Sequence, residues 1–274
     1  MPSTGPERQA NLARLCLELA SHAQTLQRDF HPAAAASNLS SQLSLAHSRT
    51  SKSFILICRD RCLSSRVKLE AEGKLTPDTG CDESVLGTND DVFFYVAPFR
   101  YPHTTCGLLF AHSLEEQHSA SAKATPFDSG GLIRHITRPD PSEPVCDFLA
   151  RHDMPAVDHR QYLGHSLTTL FNQPEDYLEG RPPQHPSPIG LAGGDERAWT
   201  HEVRLTHQVP LLGNPYLKAI FLANAIANDP DVEAVLTWSQ QEKIDINFLP
   251  ANRDGDFSTL QQACLRYLKR ELYS

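Results

Sequence analysis

The most informative segment of the chain reads Arg197-Ala-Trp-Thr-His-Glu202-Val-Arg-Leu-Thr-His-Gln-Val-Pro-Leu211. From Val203 to Val209 apolar and polar side chains alternate, which is the two-residue period of a half-buried β-strand. Glu202 stands where this strand begins. A carboxylate on a strand can be held rigidly at the edge of a cleft, as an electrostatic or general-base group must be. The alternative is a solvated strand residue, so the neighbouring elements have to decide between the two.

Composition sets the broad class of the protein. A chain of 274 residues with 40% hydrophobic and 21% charged residues is typical of a globular protein and long enough to bury a core. The formal charge of −8 gives no global preference for nucleic acid. A local basic groove is still compatible with that balance, because the position of charges matters more than their sum.

Membrane, metal and disulfide classes are disfavoured by the sequence. The longest apolar runs, such as Phe54–Cys58, are far too short to span a bilayer, and the first residues lack the apolar centre of a signal peptide. The seven cysteines and thirteen histidines form none of the spacings of a zinc site. We therefore expect a cytoplasmic, soluble protein with no membrane partner, no metal and no disulfide framework.

The order of the predicted elements favours an α+β fold. Residues 7–29 repeat apolar positions at helical spacing, and residues 143–171 look helical with a break at Pro155. Strands and helices are mixed along the chain without regular βαβ units, which argues against a doubly wound sheet. Further helices are predicted at 61–72 and 257–272, and further strands at 53–58, 92–96, 106–110, 216–222, 232–238 and 243–249. Residues 181–194 carry four prolines and three glycines, which predicts a long exposed connection.

Three segments in this order resemble a known family. They are Phe54-Ile-Leu-Ile-Cys-Arg59 with its following helix up to Gly73, the aromatic strand Val92-Phe-Phe-Tyr-Val-Ala-Pro98, and the strand that begins at Glu202. Over about residues 55–210 the chain is similar to ADP-ribosyltransferases, nearest to DarT-type toxins that modify DNA. The resemblance implies an α+β fold with a split mixed or antiparallel sheet and flanking helices. It implies a catalytic domain at 51–274, preceded by an N-terminal helical extension at 1–50.

The same resemblance implies roles for individual residues. Glu202 would be the catalytic carboxylate, stabilising the positive charge that develops when the nicotinamide–ribose bond of NAD breaks. Arg59 would pair with the pyrophosphate through its forked donors, and Phe94 or Tyr95 would stack on the nicotinamide ring. The alternatives are a surface charge at a strand end for Arg59 and core packing for the two aromatic residues. NAD is then the expected co-substrate, with no metal.

A second candidate site is the loop Thr125-Pro-Phe-Asp-Ser-Gly-Gly131. Its two glycines let backbone N–H groups approach a phosphate or another anion closely. Phe127, Asp128 and Ser129 are therefore predicted to bind NAD or the acceptor. The spacing is not that of a P-loop, and an ordinary turn is the alternative reading.

The resemblance favours an NAD-dependent ADP-ribosyltransferase that modifies a DNA or RNA base, as a bacterial toxin or anti-phage effector. Thr200 stands two residues before Glu202, where protein-modifying relatives carry Glu or Gln, and this favours nucleobases or water as the acceptor. The expected partners are NAD, a nucleic acid, and an antitoxin or chaperone that covers the cleft. Two alternatives stay open: an NAD glycohydrolase, and a non-enzymatic module that binds a nucleotide or a protein.

Overall fold

The computed structural model describes residues 3–27, 43–101, 103–118, 120–192, 194–250 and 257–273. Over these residues the fold is α+β, with a mixed eight-stranded sheet, a two-stranded sheet and helices around them. The prediction of an α+β fold with flanking helices is confirmed. The strands are β1 (Ser44–Arg49), β2 (Cys62–Ser64), β3 (Asp91–Val96), β4 (Cys106–Ala111), β5 (Lys123–Thr125), β6 (Met154–Pro155), β7 (Glu202–Thr206), β8 (Gln208–Pro210), β9 (Leu217–Ala223) and β10 (Asp245–Leu249).

The larger sheet has the strand order β10-β9-β4-β1-β3-β7-β5-β6. Its neighbouring strands are antiparallel except for the parallel pair β10 and β9, and β2 pairs with β8 in the second sheet. The helices are α1 (Gly5–Thr25), α2 (Ser51–Asp60), α3 (Arg66–Ala71), α4 (Asp82–Leu86), α5 (Gly131–Arg134), α6 (Val145–Ala150), α7 (Ala156–Leu170), α8 (Pro174–Leu178), α9 (Pro230–Gln241) and α10 (Phe257–Tyr273), with short 3-10 turns at 112–118, 196–198 and 224–226.

The N-terminal segment takes part in the body of the fold. Helix α1 begins with a capping box between Thr4 and Glu7, and it packs on α7 through leucines at helical spacing. Strand β1 then lies in the middle of the large sheet, between β3 and β4. The predicted boundary between residues 50 and 51 therefore falls directly after a central strand, and the sheet includes residues from both sides of it.

Two predicted strands are helices in the structure. Residues 53–58 belong to α2, whose first turn is capped by the Thr50 hydroxyl accepting from the amide of Ser53. Its buried side chains, Phe54 and Cys58, are four residues apart, as one face of a helix requires. Residues 232–238 belong to α9, where Asp229 caps the helix and Pro230 occupies its first turn. Apolar runs of this length fit either structure, and the capping residues indicate the helix.

Two other predicted elements are present only in part. The helix predicted at 61–72 is α3 (Arg66–Ala71) alone, because Arg61 ends α2 in the left-handed region and Cys62–Ser64 form β2. The strand that begins at Glu202 breaks at His207, where φ is 68°, and continues as β8 in the second sheet. Strands β3, β4, β7, β9 and β10 and helices α1 and α10 lie where their periodicity placed them, and Pro155 separates α6 from α7. The described part of residues 181–194 contains no helix and only one isolated bridge, between Thr137 and Ala192.

Strands β3, β5 and β7 carry a polar face that positions the site. In the antiparallel pair of β3 and β7, Tyr95 stands opposite Glu202 and Phe93 opposite Arg204. Because side chains alternate between the two faces of a sheet, Glu202 and Arg204 share one face, whereas Val203 lies on the other with the apolar core. A row of polar side chains therefore runs across one side of a well-packed sheet.

Candidate active site

A cavity of about 400 Å³ opens on the polar face of the sheet, beside the start of β7. It is lined by residues of β1, β3, β7, the turn after β5, helix α4 and the segment after β3. The lining residues are Ala46, His47, Ser48, Arg49, Thr50, Ser53, Asp82, Glu83, Leu86, Phe93, Tyr95, Tyr101, His103, Thr104, Asp128, Ser129, Gly130 and Glu202. Four residues predicted from the sequence therefore lie around one cavity: Tyr95, Asp128, Ser129 and Glu202.

Glu202 is fixed within this cavity by two neighbours. Its side chain is only 1% exposed, and its Oε1 accepts a hydrogen bond of 2.7 Å from the hydroxyl of Ser129. The Nε of Arg204 lies 3.4 Å from the same oxygen. Burial, followed by the charge of Asp128, raises the pKa of Glu202 to about 8, against the opposing effects of Arg204 and Ser129. The Glu202 carboxyl is therefore poised to change its charge near neutral pH.

Asp128 is a second buried carboxyl in the same cavity. Its Oδ2 accepts a hydrogen bond of 3.0 Å from the Tyr95 hydroxyl, and its Oδ1 accepts one of 2.9 Å from the amide of Gly130. Burial is the main cause that raises the pKa of Asp128, and it also raises that of Tyr95 well above its ordinary value. The Tyr95 hydroxyl therefore keeps its proton and holds the turn after β5 against β3.

Strand β1 contributes basic residues that the sequence analysis did not propose. Arg49 ends β1, lines the cavity and is half-buried, with its Nη1 donating to the carbonyl of Ser48 at 3.0 Å. His47 also lines the cavity, and its Nδ1 lies 2.8 Å from the carbonyl oxygen of Phe93. Burial lowers the pKa of His47 well below its ordinary value, so the ring is neutral and its Nδ1 donates to that carbonyl. The His47 Nε2 is then an acceptor, and it has no hydrogen-bond partner among the described residues.

The structure corrects the predicted role of Arg59. This residue lies on α2 rather than at a strand end, its side chain is 60% exposed, and its Nε donates to Asp231 at 2.8 Å. It does not line the cavity that contains Glu202, but it lines a second cavity beside it, together with His47 and Arg49. The predicted position of Arg59 at a strand end is wrong, because residues 54–58 are helical, and the arginine at the end of a strand beside Glu202 is Arg49.

Two predicted aromatic contacts are also corrected. Phe94 is 1% exposed on the core face of β3, where its ring meets that of Phe110 edge-on at 5.6 Å. Phe127 is buried against the rings of Phe148 and His152, at 5.7 and 5.6 Å. Neither residue lines the cavity, so Phe94 and Phe127 stabilise the elements that carry Tyr95 and Asp128.

A local signal for β1 was present in the sequence. Leu43, Ser44 and Leu45 alternate before Ala46 interrupts the pattern, and Thr50 with Ser53 forms a helix cap immediately behind. The run contains no β-branched residue before Thr50, which weakens its strand pattern. The cap at Thr50 indicates a helix over 51–60, which leaves 44–49 as the preceding strand.

Comparison with known proteins gives structural matches only. No family model matches the chain, and no curated protein matches it. Among solved structures, Thermus sp. 2.9 DarT in complex with carba-NAD+ matches with 11% identity and a TM-score of 0.37, covering 77% of this chain and 96% of that chain. The same protein in complex with ADP-ribosylated ssDNA matches with 10% identity and a TM-score of 0.38, covering 75% and 93%.

Within the described residues, no group of three or more His, Cys, Asp or Glu side chains is arranged to hold a metal ion. Over the same residues, no helix has the length and apolar character needed to cross a membrane. The ionisable groups discussed above that line the cavity are the carboxyls of Glu202 and Asp128, the Tyr95 hydroxyl, the Arg49 guanidinium and the His47 ring.

Proposed function

We propose that this protein is an NAD-dependent ADP-ribosyltransferase that modifies a nucleic acid. The observation that carries the proposal is the Glu202 carboxyl, buried at the start of β7 and hydrogen-bonded to Ser129 inside a cavity of about 400 Å³. Two of the segments that resemble ADP-ribosyltransferases are neighbours at this site, since Tyr95 of the aromatic strand stands opposite Glu202. The fold and the cavity of this chain support the proposal.

The reaction needs a fixed anion beside a developing cation. When the bond between the nicotinamide nitrogen and ribose C1′ breaks, nicotinamide leaves with the bonding electrons and the ribose gains oxocarbenium character. An ionised Glu202 stabilises that charge, and its carboxylate can accept a hydrogen bond from a ribose hydroxyl. The pKa of Glu202 is raised to about 8, so the carboxyl holds its proton readily near neutral pH. The positive charge of an approaching nicotinamide ring lowers this pKa and so favours the ionised form that the reaction needs.

The residues present fit the rest of the dinucleotide. Arg49 offers forked donors for a pyrophosphate, and the neutral His47 has a buried Nε2 acceptor without a described protein partner. A second cavity of about 500 Å³ shares His47, Arg49 and Phe93 with the first. We assign the nicotinamide and its ribose to the cavity of Glu202, the pyrophosphate to Arg49 at the junction, and the adenosine to the second cavity.

The acceptor is proposed to be a nucleobase. Thr200 is fully buried and its hydroxyl donates to the carbonyl of Glu196 at 2.8 Å, so this position offers no group to align a protein side chain. In the transfer, the acceptor atom bonds to ribose C1′ and loses its proton to a base in the cavity or to water. A toxin or anti-phage role, with an antitoxin or chaperone as partner, goes with this proposal, as does a cytoplasmic location.

The test is nicotinamide release from NAD labelled in its adenylate part, with and without single-stranded DNA or RNA. Wild type is compared with Glu202→Gln, which keeps the shape and the Ser129 hydrogen bond but cannot ionise. Arg270→Met is the matched control, because it removes an exposed cation on α10 that lines neither cavity. We expect release by wild type and by the control, loss of release in Glu202→Gln, and label on the nucleic acid.

Each outcome separates the alternatives. Release that depends on Glu202 but leaves the label as free ADP-ribose would identify an NAD glycohydrolase. Release that is equal in wild type and Glu202→Gln would reject the assigned catalytic carboxylate. The absence of release with every nucleic acid, together with unchanged binding of carba-NAD+ in Glu202→Gln, would favour a binding module.

A further inference from the structure

Arg204 lies next to the site without lining its cavity. It follows Glu202 by two residues on β7, on the same face of the sheet, and its side chain is 1% exposed. Its guanidinium lies among three carboxyls of separate origin. The Nε is 3.4 Å from Oε1 of Glu202, the Nη1 is 3.6 Å from Oδ2 of Asp91, and the Nη2 bonds to Oδ1 of Asp153.

The partners of Arg204 are themselves anchored. Asp91 on β3 receives the ammonium group of Lys123 on β5, at 3.1 Å from its Oδ2. Asp153 receives a hydrogen bond of 2.8 Å from the hydroxyl of Ser3, which precedes α1. A guanidinium stays protonated in proteins, so its charge is permanent as well as fixed in place. The N-terminal segment, β3, β5 and β7 thus converge on one buried cation.

We propose that Arg204 is a positioning residue for Glu202, a buried cation that orients the carboxyl and keeps its ionised form accessible inside the cavity. Its catalytic consequence rests on the proposed function; its effect on the Glu202 carboxyl does not. The Nε of Arg204 has no hydrogen-bond partner among the described residues, and it lies 3.4 Å from the Glu202 oxygen that accepts the hydrogen bond from Ser129.

The local charges explain why the effect is partial. The cations Arg204 and Lys123 are matched by the anions Asp91 and Asp153, which leaves no surplus positive charge for Glu202. From the other elements, Asp128 faces Glu202 as an anion, and Tyr95 and Ser129 face it as neutral groups, while Arg197 acts on Asp128. Without the Asp153 carboxylate, the positive charge of Arg204 should act more strongly on Glu202 and lower its pKa. Without Arg204, only negative charges should act on Glu202, and its pKa should rise.

The experiment titrates Glu202 directly by NMR in protein labelled with ¹³C at the glutamate carboxyls. The Glu202 signal is the one that disappears in Glu202→Gln. The main variant is the double replacement Arg204→Met with Asp153→Asn, which removes one charge of each sign. Asp153→Asn alone, the conservative Arg204→Lys and the remote control Arg270→Met complete the set.

We expect the double variant to bind the Glu202 proton at least about tenfold more tightly than wild type, and Asp153→Asn to bind it about threefold or more weakly. Arg204→Lys and Arg270→Met should stay within about threefold of wild type, because the first keeps a positive charge beside Glu202 and the second lies outside both cavities. A folded double variant with unchanged proton affinity would overturn the inference. Should that variant not fold, an unchanged or higher proton affinity in Asp153→Asn would overturn it.

Activity provides the second, separate readout. The pH at which nicotinamide release is half-maximal should move with the Glu202 titration, upward in the double variant and downward in Asp153→Asn. If the NMR titrations move as expected while no variant, wild type included, releases nicotinamide, the proposed function fails and the role of Arg204 stands. If release occurs and the titrations do not move, the role of Arg204 fails alone.

Discussion

Replacing Glu202 with glutamine should change the way in which the stability of the fold depends on pH. Burial and the charge of Asp128 raise the pKa of the Glu202 carboxyl from its ordinary value of 4.5 to about 8. The folded state therefore holds this proton more tightly than the unfolded state does. The resulting contribution to stability is complete below pH 4.5, falls as the pH rises toward 8, and is lost above that.

The size of the effect follows from the two pKa values. One pKa unit corresponds to about 1.4 kcal/mol, so the step from 4.5 to about 8 gives at most about 5 kcal/mol. Glutamine does not titrate and keeps the acceptor for the Ser129 hydroxyl. The free energy of unfolding of Glu202→Gln, taken relative to wild type, should therefore increase steadily between pH 5 and pH 9.

Urea unfolding of both proteins at several pH values in this range measures the difference. Glu116→Gln, which removes one exposed carboxylate, controls for the change in net charge. A relative gain in stability of less than about 1.4 kcal/mol between pH 5 and pH 9 would mean that the Glu202 carboxyl ionises almost as freely as in the unfolded chain. The reasoning that places a proton-holding carboxyl in this cavity would then be refuted.

Three further predictions concern the cavity and its support. Arg49→Met should weaken the binding of carba-NAD+ roughly 10- to 100-fold by calorimetry, since each lost charged hydrogen bond costs about 1.5–3 kcal/mol, whereas Arg270→Met, which lies outside both cavities, should leave it unchanged. Phe94→Ala should lower the free energy of unfolding by about 3–5 kcal/mol in urea, because this ring is buried in the core; a loss below about 1 kcal/mol would contradict that placement. Gly107→Ala should lower the melting temperature, because a Cβ there would lie 2.2 Å from the ring of Phe99; an unchanged melting temperature would show that the ring moves freely.

The sequence alone predicted those parts of the fold that have a regular period. The alternation after Glu202 placed β7, although not the break at His207 that separates β7 from β8, and the helical repeats of residues 7–29 and 257–272 placed α1 and α10. The strand that begins at Glu202 and the aromatic strand with Tyr95 pair directly in the sheet. Periodicity is a local property, and each of these segments is long enough or regular enough to express it without its neighbours.

Short segments and the composition of the site depended on the tertiary structure. The run 54–58 is compatible with a strand or a helix, and only its packing as α2 shows that Arg49, rather than Arg59, lines the cavity. Phe94 and Tyr95 are adjacent in sequence, but strand pairing turns one toward the core and the other toward Asp128.

The charge of the site could not be predicted from the sequence either. Glu202 is close to Asp128 and Arg204, and Arg204 in turn meets Asp91 and Asp153, which come from separate elements. The pKa of a carboxyl depends on burial and on charges within a few ångströms, and folding alone brings those groups together. The sequence by itself determined which strand carries the carboxylate, whereas the tertiary structure decided which residues surround it and how readily it ionises.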